Sequence, residues 1–234
     1  TQKNHYLPRL ASGEIISAFA LTEPQSGSDA ASISTPARRE GNEYVINGTK
    51  RYITNAPEAS LFTVFARPAP KTEGVKGISA LLVEGHLPGI TIGPWDRKMG
   101  QRGAHTADVT FTDCRVSADA LISGAEGVGF KTAMKVLDRG RIHIGAVCVA
   151  AAERLIDDSL RYAMERQQFG QPIAEFQLIQ AMLADSRAEA YAARCMVEET
   201  ARRRDSGLPV VTEASCCKLF CAEMVGRVAD RAGQ

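Results

Sequence analysis

The chain changes texture once, near Gly124, and that change limits what it can fold into. Residues 18 to about 122 are rich in Thr, Val, Ile, Gly and Pro, with short apolar stretches between turn residues. Beyond Gly124, Ala, Arg, Glu, Met and Leu dominate and β-branched clusters thin out. Strands that come first and helices that follow predict an α+β chain. The strand candidates are EYVINGTKRYIT, LFTVFA at 61–66, ISALLVE at 78–84 and ADVTFTD at 107–113. Asn47-Gly48 predicts a hairpin turn, because a two-residue hairpin needs positive φ at both central positions. Several short strands with frequent turns predict a small barrel or a sandwich.

Three long helices follow. The first is predicted over Arg141–Gln168, where Val147, Ala151, Leu155 and Ile156 recur at helical spacing before Gly170-Gln171-Pro172 ends it. The second is predicted over Glu175–Arg204, with Gly207 just past its end and Pro209 beyond. The third starts near Val211 and reaches Gln234 with no stop signal. The opening YLPRLASGE reads as the tail of a helix and a turn. The expected organisation is therefore 1–17 as the end of a helical part, 18–122 as a β domain and 123–234 as an incomplete helical domain.

Charge and cysteine content exclude several functions. Lys+Arg is 28 and Asp+Glu is 27, a net charge of +1. Nucleic acid as main partner is disfavoured, since phosphate binding needs a concentrated basic surface. No apolar run approaches the ~18–20 residues of a membrane helix, and the first residues lack the layout of a signal peptide. Six cysteines invite a disulfide or zinc reading. Cys217 and Cys221 share a helix face, but no His or second Cys pair completes a metal set. His5, His86, His105 and His143 show no ligand spacing. The expectation is six reduced thiols packed as small apolar groups, no metal, and a cytoplasmic setting.

Chemistry begins at Phe19. The run FALTEPQSGSDAAS holds Thr22, Ser26, Gly27, Ser28 and Asp29 in a loop after an apolar strand. It supplies hydroxyls and closely spaced N–H groups, with Gly27 permitting close approach. Such a loop binds the polar edge of a cofactor or a phosphate, or is a turn and nothing more.

ALTEPQSGSDAAS resembles the first signature of the acyl-CoA dehydrogenase family. GTKRYITNAP resembles the family's second flavin-contacting strand. KMGQRGAHTADVTFTDCRVSADALI with GAEGVGFKTAMKVLDRGR resembles its domain junction, and YAMERQQFGQPIAEFQLIQAMLAD its central helix, turn and next helix. The four segments occur in family order over essentially the whole chain.

The resemblance implies a middle β-barrel, a C-terminal four-helix bundle of which about three helices are present, and an N-terminal helical domain that is mostly absent. It implies a dimer or tetramer, FAD between barrel and bundle and reaching the neighbouring subunit, an acyl-CoA substrate and an electron-transfer flavoprotein as acceptor. Carried over by position, Phe19, Leu21 and Thr22 line the isoalloxazine, with Gly27 in the same turn. Ser28 bonds the flavin phosphate region or the pantetheine. Tyr52, Ile53 and Thr54 cover another ring face, the Thr54 hydroxyl toward N5. Arg166, Gln168, Phe169 and Gln177 grip FAD from the partner subunit. Asp138 and Arg141 lie at the CoA end. The family more often has Trp at Tyr52, and many members have Thr at Gln168.

Several of these residues also have a plainer reading. Tyr52 and Ile53 suit an ordinary barrel core, Arg166 a solvated helix end, and Asp138 with Arg141 an i,i+3 surface pair. Glu23 is read as fixing its loop. The resemblance implies α,β-dehydrogenation by a carboxylate base; the alternatives are an acyl-CoA oxidase or a flavin monooxygenase on the same fold, or a non-catalytic flavin-binding relative. One family position for that base is Gly140 here, so no catalytic base is expected in this chain and the base is placed on an absent C-terminal segment.

Overall fold

The computed structural model describes residues 1–68 and 71–234. It divides into two compact units, Thr1–Ala133 and Met134–Gln234.

The first unit opens with helix α1 (Gln2–Ala11) and, among the described residues, contains seven strands: β1 (Ser17–Ala20), β2 (Ala37–Glu40), β3 (Glu43–Thr54), β4 (Leu61–Ala66), β5 (Ser79–Glu84), β6 (Ile90–Ile92) and β7 (Thr106–Ser117). They form a three-stranded sheet in the order β1-β4-β5 and a four-stranded sheet in the order β2-β3-β7-β6. The run LFTVFA is apolar almost throughout because β4 is the central strand of its sheet and is buried along nearly its whole length. Both sheets feed one core. Ala18, Phe62, Val64, Leu81 and Val83 come from the first, and Tyr44, Ile46, Ile53, Val109 and Phe111 from the second. Of the expected barrel or sandwich, the pairing among the described residues shows two open sheets over a shared core; closure into a barrel is not shown. Among the described residues a bridge ties strand ends of the two, with Ala37 N–H donating to Arg67 O at 2.9 Å and Arg67 N–H to Thr35 O at 2.8 Å. The buried Arg67 side chain satisfies the carbonyls of Ile33, Gly74 and Ala31, as a buried guanidinium must be satisfied.

The expected hairpin at Asn47-Gly48 is also corrected. β3 runs straight through it, paired with β7 from Glu43↔Ser117 to Thr54↔Thr106. Between Ile46↔Cys114 and Gly48↔Phe111 the register slips, so Thr112 and Asp113 together oppose Asn47. This is a β-bulge, and Asp113 takes the positive φ of 47°. Asn47 holds it from across the ladder: its Nδ2 donates to Asp113 Oδ1 at 3.0 Å and its Oδ1 accepts from Asp113 N–H at 2.8 Å. Cross-strand bonding of the Asn side chain replaces the local turn that the dipeptide suggests.

The second unit is helical. Helix α2 (Gly129–Glu165) begins in the first unit and runs into the second, and α3 (Gln177–Asp205) and α4 (Val211–Gly233) complete it. α2 starts twelve residues before the predicted Arg141, because Gly129 and Gly140 dilute the helical pattern there. α3 ends as expected, with Gly207 at φ 79° and its N–H on Arg204 O at 2.9 Å. The buried positions of α4 are Ala214, Cys217, Cys221, Met224 and Val228. Those of α3 are Ser186, Ala190, Ala193, Val197 and Thr200. Both sets alternate steps of three and four, the spacing of a left-handed helical seam. Small residues keep the helices close: a Cβ on Gly145 of α2 would lie 3.0 Å from Val197 Cγ2 and 3.6 Å from Cys221 Sγ.

Cys114, Cys217 and Cys221 pack as buried apolar groups, whereas Cys195 and Cys216 are exposed, which corrects the expectation that all six are packed. Among the described residues no helix is long and apolar enough to cross a membrane.

Gly48, the next residue of β3, supplies a test of the close packing against Thr35. Its φ is 144°, and a Cβ there would sit 2.7 Å from Thr35 Oγ1 and 3.2 Å from Thr35 Cβ. Gly48→Val is expected to destabilise the fold by about 1–3 kcal/mol through strain and overpacking, measured as a lower urea midpoint at unchanged m-value.

Candidate functional site

The turn after β1 is built around one buried carboxylate. Glu23 and Ser26 exchange backbone hydrogen bonds at 2.9 and 3.0 Å, closing Glu23-Pro24-Gln25-Ser26 into a tight turn. The Glu23 side chain points inward and accepts from Ser34 N–H at 2.7 Å, Thr35 N–H at 3.0 Å, the Ser34 hydroxyl at 3.0 Å and Gln25 Nε2 at 2.8 Å. Lys50 of β3, fully buried, donates to Glu23 Oε1 at 2.9 Å and to Leu21 O at 3.1 Å. Burial alone would raise the Glu23 pKa. The Lys50 charge and the hydrogen bonds from Lys50, Thr35 and Ser34 outweigh it and hold the carboxyl at about 2. Burial lowers the pKa of Lys50, opposed by Glu23. Glu23 thus fixes the loop, as its sequence context suggested. Lys50 was missed. Its signal was present, because it occupies an inward position of the alternating strand where a lone charge needs a partner.

A second bulge lies a few residues further along β3. Lys50 pairs with Val109 and Ile53 with Ala107, so Arg51 and Tyr52 together oppose Asp108. Tyr52 takes φ 57° and its side chain is 59% exposed. The bulge adjoins the turn directly, since Arg51 N–H donates to Thr22 O at 2.8 Å. Thr22 is half-buried, and Gly27, Ser28 and Thr54 are exposed. Among the described residues no hydrogen bond engages the Thr22, Ser28 or Thr54 hydroxyls. This donor set, with spare capacity beside an exposed aromatic ring, fits a planar ligand with a polar edge. Tyr52 and Thr54 also line an open cleft of about 730 Å³ with Asp96, Arg97, Lys98, Gln101, Ala104 and Thr106. Lys98 braces that segment, donating to Thr106 Oγ1 at 3.1 Å and to Ala104 O.

The other residues of this set serve the core. Leu21 and Ile53 are buried, so only their main chain is available to a ligand. The structural alternative therefore holds for Ile53 and not for Tyr52. Phe19 is half-buried, its ring tilted against Phe65 at 4.8 Å.

The second unit carries the remaining predicted residues. After α2 a short hairpin pairs β8 (Gln167–Gln168) with β9 (Gln171–Pro172). Its turn is Phe169-Gly170, at φ 53° and 81°. Both signs suit a two-residue hairpin, but a bulky residue adopts this φ only under constraint. Phe169 is 93% exposed, edge-on to Phe176 at 6.0 Å. Arg166, Gln168 and Gln177 are exposed around it. Asp138 and Arg141 form the i,i+3 pair at 2.5 Å on α2. A Cβ on Gly140 would meet nothing within 4 Å.

Two measurements test the Glu23 arrangement. Lys50→Met leaves a buried carboxylate without its cation, and a loss of about 3–5 kcal/mol is expected in chemical denaturation. Because the folded Glu23 pKa lies below its ordinary 4.5, its contribution is present above that value and is lost as pH falls toward 2. Stability is therefore expected to fall from about pH 4.5 downward, and to fall less steeply in Glu23→Gln.

The chain matches the model of the acyl-CoA dehydrogenase middle domain over residues 18–114 and that of the acyl-CoA dehydrogenase C-terminal domain over residues 127–234. It is 47% identical over 224 residues to an acryloyl-CoA reductase (NADH) of Anaerotignum propionicum, covering 95% of this chain and 56% of the relative. The structure of butyryl-CoA dehydrogenase from Megasphaera elsdenii superposes with a TM-score of 0.94 at 37% identity, covering 99% of this chain and 60% of that one. A glutaryl-CoA dehydrogenase from Mycobacterium smegmatis in complex with FADH2 superposes with a TM-score of 0.91 at 31% identity, covering 99% and 58%. The chain spans a little over half the length of the curated relative, at 56%. The order of the two domain matches, their coverage and these likenesses establish that the chain belongs to the acyl-CoA dehydrogenase family.

Proposed function

We propose that the protein binds FAD and catalyses α,β-dehydrogenation of an acyl-CoA thioester to the trans-2-enoyl-CoA. The observation that carries this is the junction in the first unit: the turn at Thr22 is bonded to the bulge at Arg51-Tyr52, Tyr52 is exposed, and among the described residues no hydrogen bond engages the Thr22, Ser28 and Thr54 hydroxyls. Bound there, FAD supplies the hydride acceptor.

The chain's own residues bind and orient. Thr22, Ser28 and Thr54 hydrogen-bond the polar edge and phosphate side of the cofactor, with Ser28 also within the part offered to pantetheine. Gly27 lets that edge approach the backbone. Phe19, Tyr52 and the main chain of Leu21 and Ile53 wall the ring and exclude water. Arg166, Gln168, Phe169 and Gln177 hold FAD from a second copy of the chain, in a dimer or tetramer. Asp138 and Arg141 take the CoA end. Position 140 offers no carboxylate, so the α-proton passes to an acidic residue outside this segment. Hydrogen bonds to the thioester carbonyl stabilise the enolate-like charge as it develops, and an apolar site raises that acid's pKa toward the working range. An electron-transfer flavoprotein is the proposed acceptor. The functional boundaries proposed are 18–122 for the ring-walling domain and 123–234 for the helical one.

A second reading is favoured by the relative named as a reductase. The same residues serve reduction of a 2-enoyl-CoA, the chemical reverse, when the acceptor is replaced by a donor.

The test is anaerobic titration of the full-length holoprotein with short, medium, branched and aryl acyl-CoAs. Bleaching of the flavin band by one class is expected. Bleaching by none of them, together with no oxidation of the reduced flavin by a 2-enoyl-CoA, overturns both readings. Arg166→Ala, which removes a charge-assisted bond to the cofactor, is expected to weaken FAD binding about 10-fold or more, read by flavin release on dilution.

A further inference from the structure

We infer that Arg51 is a positioning residue: held by Asp108, it backs one face of the Tyr52 ring and fixes the aromatic wall beside the Thr22 turn. The inference rests on the reading of Tyr52 as a wall of the flavin site given above.

Arg51 has three separate attachments. Its N–H donates to Thr22 O at 2.8 Å, its Nη1 donates to Asp108 Oδ2 at 2.8 Å, and its Cζ lies 4.6 Å from the Tyr52 ring centroid. Successive side chains of a strand normally point to opposite faces. The bulge abolishes that rule here, because Arg51 and Tyr52 share one opposing residue, Asp108, and Tyr52 takes φ 57°. The consequence is that two neighbours in sequence stack on one another. Asp108 is itself fixed, with its carbonyl accepting from Gly93 N–H at 2.9 Å.

The chemistry of the stack is specific. A guanidinium is planar and weakly hydrated, so it lies flat on an aromatic face, while its edge N–H groups remain free for a carboxylate. One face of the exposed ring is thereby covered and the ring is held against rotation, which leaves the opposite face for a ligand. Tyr52 is 59% exposed. The arrangement also sets an ion pair, Arg51 with Asp108, behind the ring. Removing the guanidinium leaves the Asp108 carboxylate uncompensated there, which disfavours the reduced, more negative state of a flavin.

The experiment uses the full-length protein and two readouts. The first needs no cofactor: 19F NMR of protein carrying 3-fluorotyrosine, with the Tyr52 resonance assigned by its loss in Tyr52→Phe. Arg51→Met and Asp108→Asn are expected to shift that resonance, and Arg51→Lys to restore it only in part, because an ammonium keeps the charge and loses the planar stack. The second readout is the reduction potential of the bound flavin. It is expected to become more negative in Arg51→Met and to stay near the wild-type value in Arg51→Lys. In the same variants the bleaching rate is expected to fall several-fold, with little change in the acyl-CoA concentration that gives half the maximal rate. An unmoved fluorine resonance in Arg51→Met overturns the stack. A shifted resonance with unchanged potential and rate overturns the positioning role. If Tyr52→Ala also leaves the flavin spectrum and potential unchanged, the placement of Tyr52 at the flavin falls instead, a distinct result.

Discussion

The interaction on which the first unit depends is the buried ion pair of Glu23 and Lys50. Its value lies in geometry more than in net energy. Taking two charges out of water costs several kcal/mol each, and their attraction returns that cost only when every remaining donor and acceptor is satisfied. Here it is. Glu23 accepts five hydrogen bonds, from Lys50, Ser34 N–H, Ser34 hydroxyl, Thr35 N–H and Gln25. Lys50 spends a further donor on Leu21 O. These bonds join the turn at 21–26, the segment at 34–35 and the middle of β3. None of the three can shift without breaking a bond inside the core, where the loss is not repaired by water. The turn is therefore rigid although its outer residues, Gly27 and Ser28, are exposed.

Rigidity at that point is inherited by the neighbouring bulge. Lys50 is the last regularly paired residue of β3 before the register slips, and Ile53, buried in the core, is the first after it. Arg51 and Tyr52 are pinned at both ends by residues that cannot move. A bulge so held is a device for turning side chains out of a strand at a fixed angle. The same strand thus turns both Lys50 and Ile53 into the core although they are three positions apart, which a regular two-residue alternation does not allow, and leaves Tyr52 between them at the surface.

This explains what the sequence made legible and what it did not. The strands at 61–66 and 79–84 and the helices at 177–205 and 211–233 were readable, because long apolar periodicity and end signals such as Gly207 are local properties. The Asn47-Gly48 hairpin was misread because the choice between turn and bulge depends on Asp113, more than sixty residues away. Gly129 and Gly140 hid the first turns of α2, since propensity is a weak guide where packing decides. Closure of the sheets was not legible either: strand count and turn spacing suit a barrel and a sandwich equally. Around the candidate site, the hydroxyls were named from their motif, while Lys50, Arg51 and Asp108, which tie the turn and the bulge together, were not. They act through a buried pair and a bulge, both of which are relations between distant positions.

Backbone strain connects the two units' candidate residues by an independent route. Among the described residues six non-glycine positions have positive φ, and four of them are Asn, Gln, Asp or Ser. The two bulky ones are Tyr52 and Phe169, and each is also strongly exposed. Either feature is unfavourable by itself: a large side chain in the left-handed region costs of order 1–3 kcal/mol, and an exposed aromatic forgoes its burial energy. Their coincidence at the same residues is not what core packing would produce, because packing would bury the ring or relax the backbone. It is what a contact surface for a planar partner requires, with the ring presented outward at an angle that the chain does not adopt freely. In the first unit the constraint comes from the ion pair and the Asp108 bulge. In the second it comes from a two-residue hairpin whose geometry demands positive φ at both turn positions. Two unrelated local mechanisms thus present an aromatic face at the two places where the family resemblance sets the flavin.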